Sequence, residues 1–217
     1  MTTAEKLVTV AENQQRVYDA GYEKGKAEGI DYDTFWDSFQ GNGQPMVYQV
    51  VFAYNRFNKE TYNPKYPIIC SNSNVSARHI FYNNTEITDT KVPIDVSAIS
   101  TTTVLQNTFS CYGAGKISAL ETIRELRVAA NTDYPNAFMN CSALKNIVIT
   151  GTVGKSISFQ FSPLLTKESI MSVFNALSTD VTGQTVTFSK RAVDAAFTTE
   201  EWEALTATKT NWTYAVA

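Results

Sequence analysis

A thiol nucleophile, a histidine relay, a metal cluster and a pair of acid–base carboxylates are the chemistries to test first against this sequence. The chain has three cysteines, Cys70, Cys111 and Cys141, and a single histidine, His79. Their odd number and wide spacing do not match zinc sites, which group Cys and His ligands at short, regular intervals. No Cys or His stands near His79 at a catalytic or ligand spacing, so His79 reads as a packing or exposed residue. Cys111 and Cys141 occupy similar places after phenylalanines and read as buried thiols filling small gaps, with a disulfide as the alternative. The neighbouring carboxylates Asp31/Asp33 and Glu200/Glu201 read as helix N-terminal residues, where negative charge is stabilised. The expectation is a non-enzymatic protein without metal or cofactor.

The residues that could position a surface are more informative. A phenylalanine recurs as Ile80-Phe81-Tyr82-Asn83-Asn84, Thr108-Phe109-Ser110-Cys111 and Ala137-Phe138-Met139-Asn140-Cys141, at intervals of 28 and 29 residues. A looser echo follows at Phe161-Ser162-Pro163-Leu164-Leu165. A fixed period of this size marks a structural repeat whose units bury their apolar edges against one another. The aliphatic positions after each Phe recur as well: Leu144, Ile147 and Ile149, then Ile123, Leu126 and Val128, then Ile87, Val92 and Ile94. Their spacing predicts one turn and a short strand per unit. The predicted repeat core comprises Phe81, Phe109, Leu126, Val128, Phe138, Cys141, Leu144, Ile147 and Ile149. The second unit carries an insertion around Gly113-Ala114-Gly115.

Flanking elements fix the organisation. Residues 2 to about 29 predict a long helix, with Thr2 and Glu5 at capping-box spacing. Ala4, Leu7, Ala11, Gln14, Tyr18, Gly21 and Gly25 follow coiled-coil spacing, so this helix is either an oligomerisation element or a helix packed on its own domain. A short aromatic helix, Asp31 to Gln40, precedes a strand from Met46 to Tyr54. After the repeats, Thr166 to Ser178 predicts a helix and Gln184 to Ser189 a strand. Ser189 and Thr198 predict helix caps, and Trp212 to Val216 a last strand. The expected parts are an N-terminal helix at 1–30, a helix–strand cap at 31–79, repeats at 80–163 and a C-terminal cap at 164–217.

Composition excludes some classes. A net charge of −3 without a Lys/Arg cluster argues against nucleic acid. No stretch approaches the roughly 20 apolar residues of a membrane span, and no secretory leader is recognisable. With 43% hydrophobic residues the chain can bury a core.

Ala137-Phe138-x-x-Cys141-x-x-Leu144-x-x-Ile147-x-Ile149 resembles the BspA-like leucine-rich repeat. The whole chain is similar to the short leucine-rich repeat proteins encoded by phages and prophages of gut Firmicutes. Ala4-Glu5-Lys6-Leu7 through Gly25-Lys26, the block Tyr32 to Gln40, and the ends Leu165 to Ile170, Thr185 to Ser189 and Thr210 to Thr213 carry that similarity. It implies a mixed α/β fold: a short leucine-rich-repeat solenoid with an extended N-terminal α-helix and an α-β-α-β C-terminal cap. It further implies a virion component of tail, baseplate or fibre, made in the host cytoplasm and extracellular once assembled. Expected partners are further copies of itself, with a trimer favoured, other virion proteins, and a host-surface glycan or protein. Nucleic acid and membrane insertion are not expected. A bacterial surface adhesin and a purely structural head fibre or decoration protein are the alternatives. Loops such as Tyr82 to Thr90 and Ser97 to Thr103 are candidate sugar contacts, with solvated turns as the alternative.

Overall fold

The computed structural model describes residues 68–69, 79–97 and 105–217. The helix expected to carry Leu7, Ala11, Gln14, Tyr18, Gly21 and Gly25, the elements expected between Asp31 and Tyr54, Cys70, and residues 98–104 lie outside these residues. The described part is a mixed α/β structure with two small parallel sheets and three helices. The first sheet orders β1 (Ile68–Ile69), β2 (Ile94–Asp95), β3 (Thr122–Val128) and β4 (Asn146–Gly151). The second orders β5 (Ile157–Phe159), β6 (Gln184–Phe188) and β7 (Trp212–Val216).

Strand alternation decides which side is buried. In β4, Ile147 and Ile149 turn inward while Asn146 and Val148 face solvent. In β3, Ile123, Leu126 and Val128 are buried, and a bulge between Ile123 and Leu126 puts Arg124 and Glu125 outside together. The strands stack closely at their ends. Gly151, at φ +82°, lies where an added Cβ would fall 2.1 Å from the Val128 carbonyl oxygen, so no other residue fits.

A column of phenylalanine rings runs from three successive turns into the second sheet. Phe81 stacks on Phe109 with centroids 5.9 Å apart, Phe109 on Phe138 at 5.3 Å, Phe138 on Phe159 at 4.4 Å, and Phe159 on Phe188 at 5.9 Å. All five rings are buried, and aromatic pairs of this kind add about 0.5–1.5 kcal/mol each beyond their burial. The fourth ring corrects the sequence reading. Phe159 continues the column, whereas Phe161 is 43% exposed. The pattern that selects Phe159 is a small polar residue three positions after Phe and an aliphatic one after six: Asn84 and Ile87, Cys141 and Leu144, Ser162 and Leu165.

The same turn builds these segments. Asn84, Cys141 and Ser162 donate their backbone N–H to the carbonyl of the preceding Phe81, Phe138 and Phe159. Two residues before the first three phenylalanines the backbone is left-handed, at His79, Asn107 and Asn136, and Asn83 and Asn140 repeat this two residues after. Asparagine tolerates that region better than most residues. Neighbouring turns are joined by main-chain bonds, Phe81 N–H to Thr108 O at 2.8 Å and Phe109 N–H to Ala137 O at 3.0 Å.

After β5 a helix takes the place beside β4 that a further strand would occupy. Helix α1 (Lys167–Ala176) is capped by Thr166, whose side chain accepts from Ser169 N–H. It buries Ile170, Val173 and Phe174. Its serines close the edge of β4. Ser169 Oγ accepts from Ile147 N–H at 2.9 Å and donates to Lys145 O at 3.0 Å, and Ser172 Oγ accepts from Ile149 N–H at 2.8 Å. Helices α2 (Lys190–Ala196) and α3 (Thr199–Thr206) connect β6 to β7. Thr198 and Glu201 form the expected capping box on α3, while Ser189 precedes α2 without a side-chain cap bond.

Candidate functional site

The outer face of the first sheet carries most of the charge near the stacked turns. Arg124 forks onto Asp89, with Nε 2.9 Å from Oδ1. Arg127 reaches Asp95 at 3.4 Å and Glu125 at 3.1 Å. Glu125 also accepts from Thr150 Oγ1 at 2.7 Å, and Lys145 pairs with Glu121 at 2.7 Å. Neighbouring strands therefore neutralise one another, and solvent-exposed pairs of this kind contribute only about 0–1 kcal/mol each. Val148 breaks the polar surface on β4, 47% exposed.

The turn edge presents a different chemistry. Ile87 and Leu144 each follow their phenylalanine by six residues, but Leu120 follows Phe109 by eleven. The extra residues form an exposed loop from Tyr112 to Ile117. Its base is fixed: Tyr112 N–H donates to Asn83 Oδ1 at 2.7 Å, and Ser118 N–H to Asn140 O at 3.0 Å. Gly113 and Gly115 take φ +113° and +75°, which lets the loop turn sharply. Tyr112 is 53% exposed and Ile117 52%. Phe161 and Leu164 occupy the corresponding turn after Phe159 and are also exposed. These four apolar side chains are therefore exposed on turns of the same stack.

The sequence singled out the insertion, but it read Phe161 and Leu164 as an echo of the repeat rather than as exposed side chains. The signal was the six-residue interval itself, which the second unit violates and which assigns Phe161 and Leu164 to a turn. Of the candidate sugar contacts in Tyr82 to Thr90, Thr85 and Thr88 are exposed and Tyr82 is half-buried, whereas three polar residues turn inward. Asn83, Asn84 and Thr90 are buried. Asn84 Oδ1 accepts from Glu86 and Ile87 N–H, and its Nδ2 donates to Ile87 O at 2.7 Å. These polar groups hold the turn together; they neither face solvent nor remain available to a ligand.

Among the described residues no cluster of His, Cys, Asp and Glu could hold a metal ion. Cys111 and Cys141 are buried free thiols. Burial pushes the Cys111 thiol up to about 11 and that of Cys141 higher still, so neither is a thiolate nucleophile at neutral pH. Cys141 Sγ donates instead to Phe109 O at 3.2 Å, tying one turn to the next. His79 lies edge-on to Tyr82 and contacts the Asn107 amide at 3.2 Å. Glu201 closes the capping box on Thr198 N–H and meets Lys167 at 3.2 Å. Those bonds hold its carboxyl below the usual range. The residues expected to form the repeat core, Phe81, Phe109, Leu126, Val128, Phe138, Cys141, Leu144, Ile147 and Ile149, are all buried. No protein-family model, curated protein or solved structure matches this chain.

Proposed function

We propose that the chain is a short leucine-rich solenoid serving as a non-enzymatic adhesion component of a phage particle. The apolar turn edge carries this reading. Tyr112, Ile117, Phe161 and Leu164 are exposed on a scaffold whose stacked rings and inter-turn bonds keep it rigid. Aromatic and aliphatic side chains held this way can lie against sugar rings or protein side chains at little entropic cost. The sheet face contributes paired charges that limit non-specific attraction. The similarity of the whole chain to short leucine-rich repeat proteins of phages and prophages, carried by segments such as Tyr32 to Gln40 and Leu165 to Ile170, suggests the viral context. Residues 1–30 then mount or trimerise the module, and several copies acting together multiply weak contacts.

Adhesion is tested by incubating the full-length protein with intact bacterial cells and with purified wall glycan. Saturable binding at micromolar concentration is expected, weakened at least tenfold by Tyr112→Ala combined with Phe161→Ala. Binding that survives the double substitution rules out the turn edge. Absence of binding, even by assembled particles, leaves a structural virion role instead. Light scattering of the whole chain against a form starting at Asp31 tests the oligomer: a trimer reduced to a monomer is expected, and a monomer in both contradicts it.

A further inference from the structure

The far edge of the second sheet carries the features of a strand-docking site. Ala217 N–H donates to Phe188 O at 3.0 Å, and Ala217 O accepts from Lys190 N–H at 2.8 Å. In a parallel ladder this fixes the alternation: odd-numbered residues of β7 bond β6, so the main-chain groups of Tyr214 and Val216 point to the free side. Among the described residues nothing bonds them there. Val216 is paired in register with Phe188, which is paired with Phe159. It therefore holds the next place in the phenylalanine column, yet it is 41% exposed. Beside it opens a cleft of about 310 Å³ lined by Val216, Trp202, Phe197, Thr198, Lys190 and Asp194. Trp202 stands edge-on to Phe188 across 5.9 Å and gives the cleft an aromatic wall.

The geometry points to a β-strand acceptor: β7 takes an extended, uncharged peptide segment of a partner protein in parallel register. One aromatic or branched aliphatic side chain of that segment enters the cleft beside Val216. Three observations select this occupant. Unpaired donors and acceptors on a strand edge are satisfied by another strand, whose main chain gives affinity while a pocket gives specificity. The cleft lies at the low end of the roughly 300–1,000 Å³ of small-molecule sites, so it admits a large side chain of a docked strand but not a folded element. Lys190 Nζ sits 2.8 and 2.6 Å from the two carboxylate oxygens of Asp194, so the rim is already neutral and a charged segment gains nothing there. This site is distinct from the turn edge and stands whether or not that edge adheres to cells.

The test uses a synthetic peptide copying residues 183–189, Gly-Gln-Thr-Val-Thr-Phe-Ser, because β7 already accepts this strand on its other side. It is titrated into the isotope-labelled full chain and followed by amide NMR. Saturable shifts are expected at the Tyr214 and Val216 amides and at the Trp202 indole N–H, with none at Ile147 and Ile149. Val216→Lys, at an exposed position, is expected to weaken binding at least tenfold, as is N-methylation of the peptide main chain. No saturable shift up to about 1 mM overturns the proposal. So do shifts that persist in Val216→Lys or appear equally on β4.

Discussion

Both sheets end in a strand that needs something on its open side, and the molecule treats the two ends differently. At β4 the outward amides of Ile147 and Ile149 are met by hydroxyls of Ser169 and Ser172 on α1, three residues apart and so on one helix face. At β7 the outward groups of Tyr214 and Val216 meet no described residue. The first arrangement ends a run of strands inside one chain; the second leaves room for another strand. Edge strands invite pairing, and proteins normally cover, twist or charge them. Closure at β4 and openness at β7 therefore mark a structural seam and an interaction surface.

The two edges share one core, and the largest predicted effect probes that link. Phe159 lies between Phe138 of the first group of turns and Phe188 of the second sheet. Phe159→Ala is expected to cost about 3–5 kcal/mol in chemical denaturation, as buried aromatic truncations do. The loss should appear in one transition, because both sheets pack on the same column. Two separate transitions, with only one displaced, would show that the edges belong to independent units.

Next comes the seam itself. Ser169 is 3% exposed and bonds the main chain twice, at Ile147 of β4 and at Lys145 just before it. Ser169→Ala leaves a buried amide unpaired and should cost about 1–3 kcal/mol. Val216→Lys at the open edge should change stability by no more than about 0.5 kcal/mol, the range of ordinary surface substitutions. Equal costs at the two positions would erase the distinction between the edges.

The smallest effect is a pH response beside the open edge. Thr198 N–H and Lys167 hold the Glu201 carboxyl below its ordinary value. A carboxylate lowered on folding stabilises the folded state fully above its unfolded value near about 4.3, and that contribution is lost as pH falls through the lower folded value. The Thr198 amide resonance should move over that acidic window while Ser169 and Ile147, held by neutral hydroxyls, stay put. A flat Thr198 response would mean that the capping box is not formed.

Much of this was legible in the residues. The period of Phe81, Phe109 and Phe138, the alternation of Leu144, Ile147 and Ile149, and the Thr198/Glu201 pair each specify a local structure through spacing alone. Three things were not legible, for physical reasons. Phe159 and Phe161 share a neighbourhood, and the six-residue interval that separates the buried ring from the exposed one acquires its meaning only from the turn geometry shared with Asn84 and Cys141. Ser169 and Ser172 look like ordinary helix-surface residues until β4 lies beside them, because their function depends on tertiary contact. Asn83 and Asn84 carry polar groups that suit a ligand equally well, and only the backbone they fold around shows that those groups are already in use.

Amide hydrogen exchange of the free full-length chain tests the contrast most directly. Slow exchange is expected at Ile147 and Ile149 and at Ala215, where β7 bonds β6, and fast exchange at Tyr214 and Val216 on either side of it. Protection of Tyr214 and Val216 equal to that of Ala215 in the absence of any partner would contradict this contrast, because the β7 edge would then already be covered.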